Sequence, residues 1–270
     1  MNWHRTLEIA LFDLRWAAVR RKGLMFILPY FLFWFLVLRQ FYKGAAYSIQ
    51  TKGVLLLSGI GFDIETLNHL FIELPPSMSA MLIGALYTTP FFTLLAANDL
   101  FASDLGSGYF RFLITRCQRV EIFLGRCLGV FFLILVCTSL TGIATALIAY
   151  HVEGYAIDVT LPYLFRVISI MVLYAMPFIA VTAIFSALLH SAIGVMLLAS
   201  VSYTVLLISI YIAQAAFDEP VMFLYLLPSG IRNDLISLDN SDVLVAIASI
   251  PAYSLIFGWL AWVVFKRRNF

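Results

Sequence analysis

Charge is what this sequence has least of. Asp, Glu, Lys and Arg together make up 12% of its 270 residues, about half the share found in soluble globular domains. Apolar residues reach 63% before glycine is counted. Single interiors stop growing near this chain length, so no soluble core could hide so much apolar surface. A soluble enzyme, a disordered regulator and a nucleic-acid binder are excluded, and the solvent for most of the chain is lipid. Cysteine is scarce as well. Cys117, Cys127 and Cys137 are odd in number and have neither CxxC nor zinc-finger spacing, which speaks against a disulfide framework or a metal site.

Chemistry-bearing motifs are missing too. The chain has no HExxH metal motif, no GxSxG nucleophile elbow and no GxxxxGK[ST] P-loop,. No charged residue falls near the middle of an expected span, where proton- or ion-driven chemistry would need one. His4, His69, His151 and His190 lie outside the expected spans or at their ends, so paired haem ligands across a bundle are not expected. Asp234 and Asp239 form no recognisable acid pair with a positioned base. No cofactor is expected in the chain itself, and an active pump built on it must take its energy from another polypeptide.

What the sequence does contain is a series of uncharged windows. Gly23–Leu38, Leu74–Asn98, Cys127–Val152, Val167–Phe217 and Val243–Phe265 hold no Asp, Glu, Lys or Arg. The fourth, as one helix, would extend about 76 Å against a hydrocarbon core of about 30 Å, so it must fold into two spans. His190-Ser191 is the most polar point near its middle and the expected turn. Six membrane helices follow, over residues 24–42, 79–97, 125–149, 163–189, 192–215 and 243–265. Backbone amides in lipid need internal partners, and long runs without alternation select helices over a barrel. The expected fold is an all-α membrane protein with one transmembrane domain over 1–270. Thr88, Thr89, Thr138, Ser139, Thr141, Ser200, Ser202 and Thr204 read as groups that hydrogen-bond between helices; a substrate path lined by hydroxyls is the alternative. Pro90, Pro177 and Pro251 are expected to kink their spans.

Orientation follows from the basic residues. Arg5, Arg15, Arg20, Arg21, Lys22, Arg111, Arg116, Arg119, Arg126, Lys266, Arg267 and Arg268 fall on one side, and only Arg39, Lys43, Lys52, Arg166 and Arg232 on the other. The basic side is the cytoplasmic one, so both termini are expected in the cytoplasm, in agreement with an even number of spans. Gly44-Ala45-Ala46 resembles a signal-peptide cleavage site, but about 22 residues precede the apolar run, too many for an ordinary n-region. Residues 5–22 have no Gly or Pro, and Arg5, Glu8, Arg15 and Lys22 form a narrow stripe on a largely apolar surface. That pattern suits an amphipathic helix lying in the interface.

The segment between spans 2 and 3 is too elaborate for a minimal hairpin. Asp99, Phe101 and Asp104 come first, then Ser107-Gly108, then a short amphipathic stretch with Arg111, Phe112, Arg116 and Arg119 before Gly125-Arg126. A basic loop beside anionic lipid accounts for the charge alone. The order acid, Ser-Gly, Phe112-Leu-Ile-Thr-Arg116, Arg119-Val-Glu-Ile-Phe-Leu-Gly125-Arg126 resembles permeases of the type-2 class of ATP-binding-cassette (ABC) transporters. Ser107, Gly108, Leu113, Arg116, Arg119, Leu124 and Gly125 match that family's pattern. Cys117 stands where proline is usual, and Arg126 where lysine is frequent.

The resemblance implies a cytoplasmic coupling helix that seats on a separate ATP-binding subunit, present in two copies and holding ATP and Mg. The coupling loop would comprise Asp99, Phe101, Asp104, Ser107, Gly108, Arg111, Phe112, Arg116 and Arg119, with Phe101, Tyr109, Phe110 and Phe112 as aromatic anchors. It also implies pairing with a second permease copy or a sister permease, in a bacterial inner or plasma membrane. Gly125-x-x-x-Gly129 allows close helix approach, within or between subunits. Residues 218–242, with the apolar middle Val221–Gly230, resemble the short external helices that precede the family's last span. The function this implies is the permease of an ATP-driven exporter, with no ATPase activity of its own. A membrane-anchored scaffold or assembly factor without transport is the alternative. Fold similarity does not choose the substrate.

Overall fold

The computed structural model describes residues 2–17, 21–45, 64–216 and 225–268, and every regular element among them is helical. An N-terminal helix, Trp3–Ala17, precedes span 1 (Arg21–Tyr42), span 2 (Pro76–Ala97), span 3 (Arg119–His151), span 4 (Ile157–Leu188), span 5 (Ala192–Ala216) and span 6 (Asn240–Arg267). Six helices are long and apolar enough to cross a membrane, so the chain is an all-α, multi-pass membrane protein. The helices overrun the uncharged windows, most clearly in span 3, which begins at Arg119. Charged residues are tolerated in terminal turns that project beyond the hydrocarbon. The fourth window breaks after Leu188 and resumes at Ala192, which places the turn where polarity indicated it. Pro90, Pro177 and Pro251 all lie inside helices.

Span 4 is the centre of the bundle. Of its most apolar window 67% is buried, against 17% for spans 5 and 6. Val167, Tyr174, Ala175, Ala183 and Ala187 are wholly buried along it, at spacings that spread them around more than half of the helix, as a helix surrounded by neighbours requires. Three of these five are alanines, and small residues let neighbouring helices approach closely in lipid, where association rests on packing rather than on water release. Span 4 packs most extensively on span 6, then on spans 3 and 2. Span 1 buries Phe26, Tyr30 and Trp34, one turn apart, and turns Met25, Leu28, Leu32 and Phe35 outward. Phe92 of span 2 meets Phe26 and Tyr30 edge-on at 6.5 and 5.1 Å.

At one end of the bundle, here the far end, the described connecting residues are well bonded. Span 2 starts after Pro75, and the Ser77 amide and hydroxyl both donate to the Glu153 carboxylate at 3.0 Å. Burial pushes the Glu153 carboxyl above its ordinary range, against the opposing effect of those two bonds. A short helix, Ile64–Asn68, continues through a π turn, His69–Glu73, into this corner; no uncharged window marked it. Before span 6 the chain makes two 3-10 turns, Pro228–Arg232 and Asp234–Ile236. They stand where short external helices were expected over 218–242, and residues 217–224 lie outside the described residues. Ile231, Leu235 and Ile236 are buried, so this segment folds back onto the bundle. Asp239 caps span 6 by accepting from the Ser241 amide at 2.9 Å, and that bond holds its carboxyl below the usual range.

Candidate functional site

The opposite end carries the loop between spans 2 and 3 and the N-terminal helix. Two short helices form the loop, Ala102–Ser107 and Phe110–Leu113, joined at Gly108, whose φ of +71° is left-handed. Glycine enters that region without the steric cost a Cβ would bring.

Three sets of contacts pin the inner side of the loop. Ser186, near the end of span 4, accepts from the amides of Phe101 (2.8 Å) and Ala102 (3.2 Å) and donates to the Asn98 carbonyl at 3.3 Å. It thereby serves amides at the start of the first loop helix, which have no partner within it. Arg126 of span 3 donates to the Leu100 carbonyl at 2.6 Å, pairs with Asp104, and lies over the Phe110 ring at 5.6 Å. Phe101 stacks on Phe123 of span 3 at 5.5 Å and meets Phe265 of span 6 at 4.7 Å, while Phe110 meets Phe265 at 5.6 Å. The loop is therefore fixed to three spans at once. It also rests on the turn between spans 4 and 5: a Cβ on Gly106 would stand 2.5 Å from the His190 carbonyl oxygen.

Removing the hydroxyl in Ser186→Ala should leave the bundle folded and loosen only the loop's first turn, by about 1 kcal/mol, the usual value of a lost cap. Hydrogen exchange at the Phe101 and Ala102 amides should quicken about fivefold. Unchanged protection there would show that Ser186 does not hold the loop.

The N-terminal helix completes this end. It packs extensively on span 3, with Thr6 and Ala10 wholly buried over Gly125 and Gly129. A Cβ on Gly125 would come within 2.9 Å of Ile9 Cβ and 3.0 Å of the Thr6 carbonyl; on Gly129 it would come within 3.1 Å of Asp13 Cβ. The GxxxG spacing thus serves packing within the subunit. Glu121 is buried beneath the start of this helix and accepts from the Asn2 amide at 2.7 Å and the Gln118 amide at 3.0 Å. Trp3, Leu7 and Leu11 remain exposed on one side of the polar stripe and Phe12 and Trp16 on the other, apolar surface suited to the membrane interface.

The expected coupling residues divide in two. Ser107, Arg111, Phe112 and Arg116 lie on the exposed rim with Tyr109 and Thr115. The others make contacts within the chain. Phe101 and Phe110 are buried and serve the aromatic cluster rather than an outer surface. Asp104 is taken by Arg126, and Asp99 accepts from the Ser103 amide at 3.0 Å. Arg119 reaches the last turn of span 6, donating to the Lys266 carbonyl at 2.7 Å and that of Arg268 at 3.3 Å. Gly108 supplies the bend. Sequence reasoning missed Ser186, Glu121 and the anchoring role of Arg126. The capping spacing from Gln118 to Glu121 was a legible signal for one of them,.

A cleft of about 420 Å³ runs between the N-terminal helix and the loop, with Asp13, Asn98, Asp99, Asp104, Tyr109 and Arg126 among its walls. A second, of about 450 Å³, adjoins it beside Arg5, Glu8, Leu113 and Arg116. No group of three His, Cys, Asp or Glu able to hold a metal ion occurs among the described residues.

Residues 64–270 match the model of a family described as a protein of unknown function, DUF2705. The match takes in spans 2 to 6 and the whole loop. No curated protein matches the chain.

Proposed function

The chain belongs to the DUF2705 family, and from that premise we propose that it is the permease subunit of an ATP-driven ABC exporter. One observation carries the reading: the loop between spans 2 and 3 is anchored on its inner side and furnished for contact on its outer side. Phe101, Phe110, Ser186 and Arg126 fix it to spans 3, 4 and 6, while Tyr109, Arg111, Phe112 and Arg116 face out. A loop that merely joined two helices would need neither feature. Aromatic and arginine side chains are the usual anchors of protein interfaces, and a rigid element attached to several spans can move them as a block.

In this reading the loop end and both termini are cytoplasmic, in a bacterial inner membrane. ATP and Mg belong to a separate subunit present in two copies, whose closure presses on the loop. A second permease copy or a sister permease encloses the path. The outward rows Leu197, Val201, Val205 and Ile208 of span 5 and Leu244, Val245, Leu255 and Trp259 of span 6 supply apolar surface for that neighbour and for lipid.

The reading requires a P-loop ATPase encoded beside this chain, and the test is binding of the purified chain to that ATPase. Arg116→Glu and Phe112→Ala each remove an exposed anchor and touch no internal contact described above. Each should weaken the complex by about 2 kcal/mol, roughly thirtyfold, with insertion and thermal stability unchanged. An unaltered dissociation constant in both variants would overturn the assignment of the loop.

A further inference from the structure

The far end of the bundle holds a charge that is folded inward among the spans. Arg232, in the 3-10 turn before span 6, lays its guanidinium over the Tyr87 ring with Cζ 3.7 Å from the ring centre. Tyr87 stands eleven residues beyond Pro76, about 16 Å along span 2, or roughly half the depth of a hydrocarbon core. A guanidinium at that depth is costly, and the ring face offsets only part of the cost. The Arg232 Nε is buried and has no hydrogen-bond partner, and neither has the hydroxyl of Tyr174, which is wholly buried in span 4. Tyr174 lies within electrostatic reach of Arg232, Tyr87 and Tyr203, so spans 2, 4 and 5 and the folded-back turn converge here.

The nearby acids are committed elsewhere. Asp234 accepts from the Tyr225 hydroxyl at 2.8 Å, Asp239 from the Ser241 amide, Asp242 from the Ser237 hydroxyl at 3.4 Å, and Glu153 from Ser77. No ion pair joins Arg232 to any of them among the described residues. A buried cationic N–H and a buried phenolic O–H within electrostatic reach of it lack an acceptor, and a planar guanidinium fork suits the oxygens of a phosphate or carboxylate. Tyr87 is 38% exposed, and Phe91, one turn further along the same face, is 57% exposed. The site therefore opens sideways across an apolar wall.

We propose that Arg232 and Tyr174 form a binding site for the acidic head of an amphiphile, with its apolar part lying along Tyr87 and Phe91. The site is independent of the transporter reading, because binding is measured on this chain without any ATPase.

The experiment takes the purified, delipidated chain in detergent and offers equal phosphatidylglycerol and phosphatidylcholine, with retained lipid weighed by native mass spectrometry. A parallel arm measures the thermal shift given by inorganic phosphate. The wild-type chain should retain phosphatidylglycerol preferentially. Arg232→Gln should lower that retention at least about tenfold and Tyr174→Phe about threefold, as expected for losing a charged and a neutral hydrogen bond. Arg232→Lys, which keeps the charge, should retain part of it and so separates loss of the site from loss of the fold. A phosphate shift that depends on Arg232, without retention of phosphatidylglycerol, would assign the same site to a soluble anion. Equal retention by wild type and Arg232→Gln, with no Arg232-dependent phosphate shift, would overturn the proposal.

Discussion

Arg126→Ala is expected to destabilise the protein by about 3 kcal/mol, the value for removing one partner of a largely buried ion pair, and to detach the loop from span 3. The arginine has three attachments on the loop: the Leu100 carbonyl, the Asp104 carboxylate and the Phe110 ring. Its side chain is 15% exposed and that of Asp104 23%, so neither partner would recover much hydration once the other is gone. Asp104→Asn should cost less, since Arg126 keeps the carbonyl and the ring. Arg126→Lys should fall between, because an ammonium cannot reach carbonyl and carboxylate with a planar fork. Denaturation in detergent ranks the three, and hydrogen exchange over residues 100–113 tests the detachment. An Arg126→Ala protein with native stability and a protected loop would show that the aromatic cluster holds the loop alone.

Gly125→Leu should have an effect of similar size by the opposite route, overfilling rather than emptying. Ile9 and the Thr6 carbonyl already stand at or inside 3.0 Å of where a Cβ would lie, and a backbone carbonyl cannot swing aside as a side-chain tip can. Overpacking of this kind costs about 1–3 kcal/mol, enough to lift the N-terminal helix from span 3. Trypsin cleavage at Arg5 and Arg15 should then quicken markedly in detergent. Ile9→Ala added to Gly125→Ala should restore part of the protection. Were the glycines an interface between copies, Gly125→Leu would change the oligomeric state and leave cleavage alone, which would overturn the intrasubunit assignment.

Much of this architecture was legible because lipid imposes a simple rule on charge. Spans of uncharged residues fix helix number, and the most polar point near the middle of the longest window, His190-Ser191, marks a turn because one helix of that length would overrun the hydrocarbon core. The loop was legible as a loop with special content. Which of its side chains face inward was not, because Phe101 and Phe112 are chemically identical and differ only in whether Phe123 and Phe265 lie opposite. Arg119 was equally opaque: its carbonyl partners on span 6 are 147 and 149 residues away. Arg232 escaped notice for a related reason. It follows an apolar stretch too short to span, and only the return of residues 228–236 onto the bundle carries the charge inward.

The seat of the N-terminal helix also has a consequence in time. Asn2 closes on Glu121, 119 residues later, and Thr6 and Ala10 settle over Gly125 and Gly129. During synthesis the first helix is made long before the surface that receives it, and spans 1 and 2 must enter the membrane while it waits. A segment made early is therefore placed late, and its docking records that the third span has arrived.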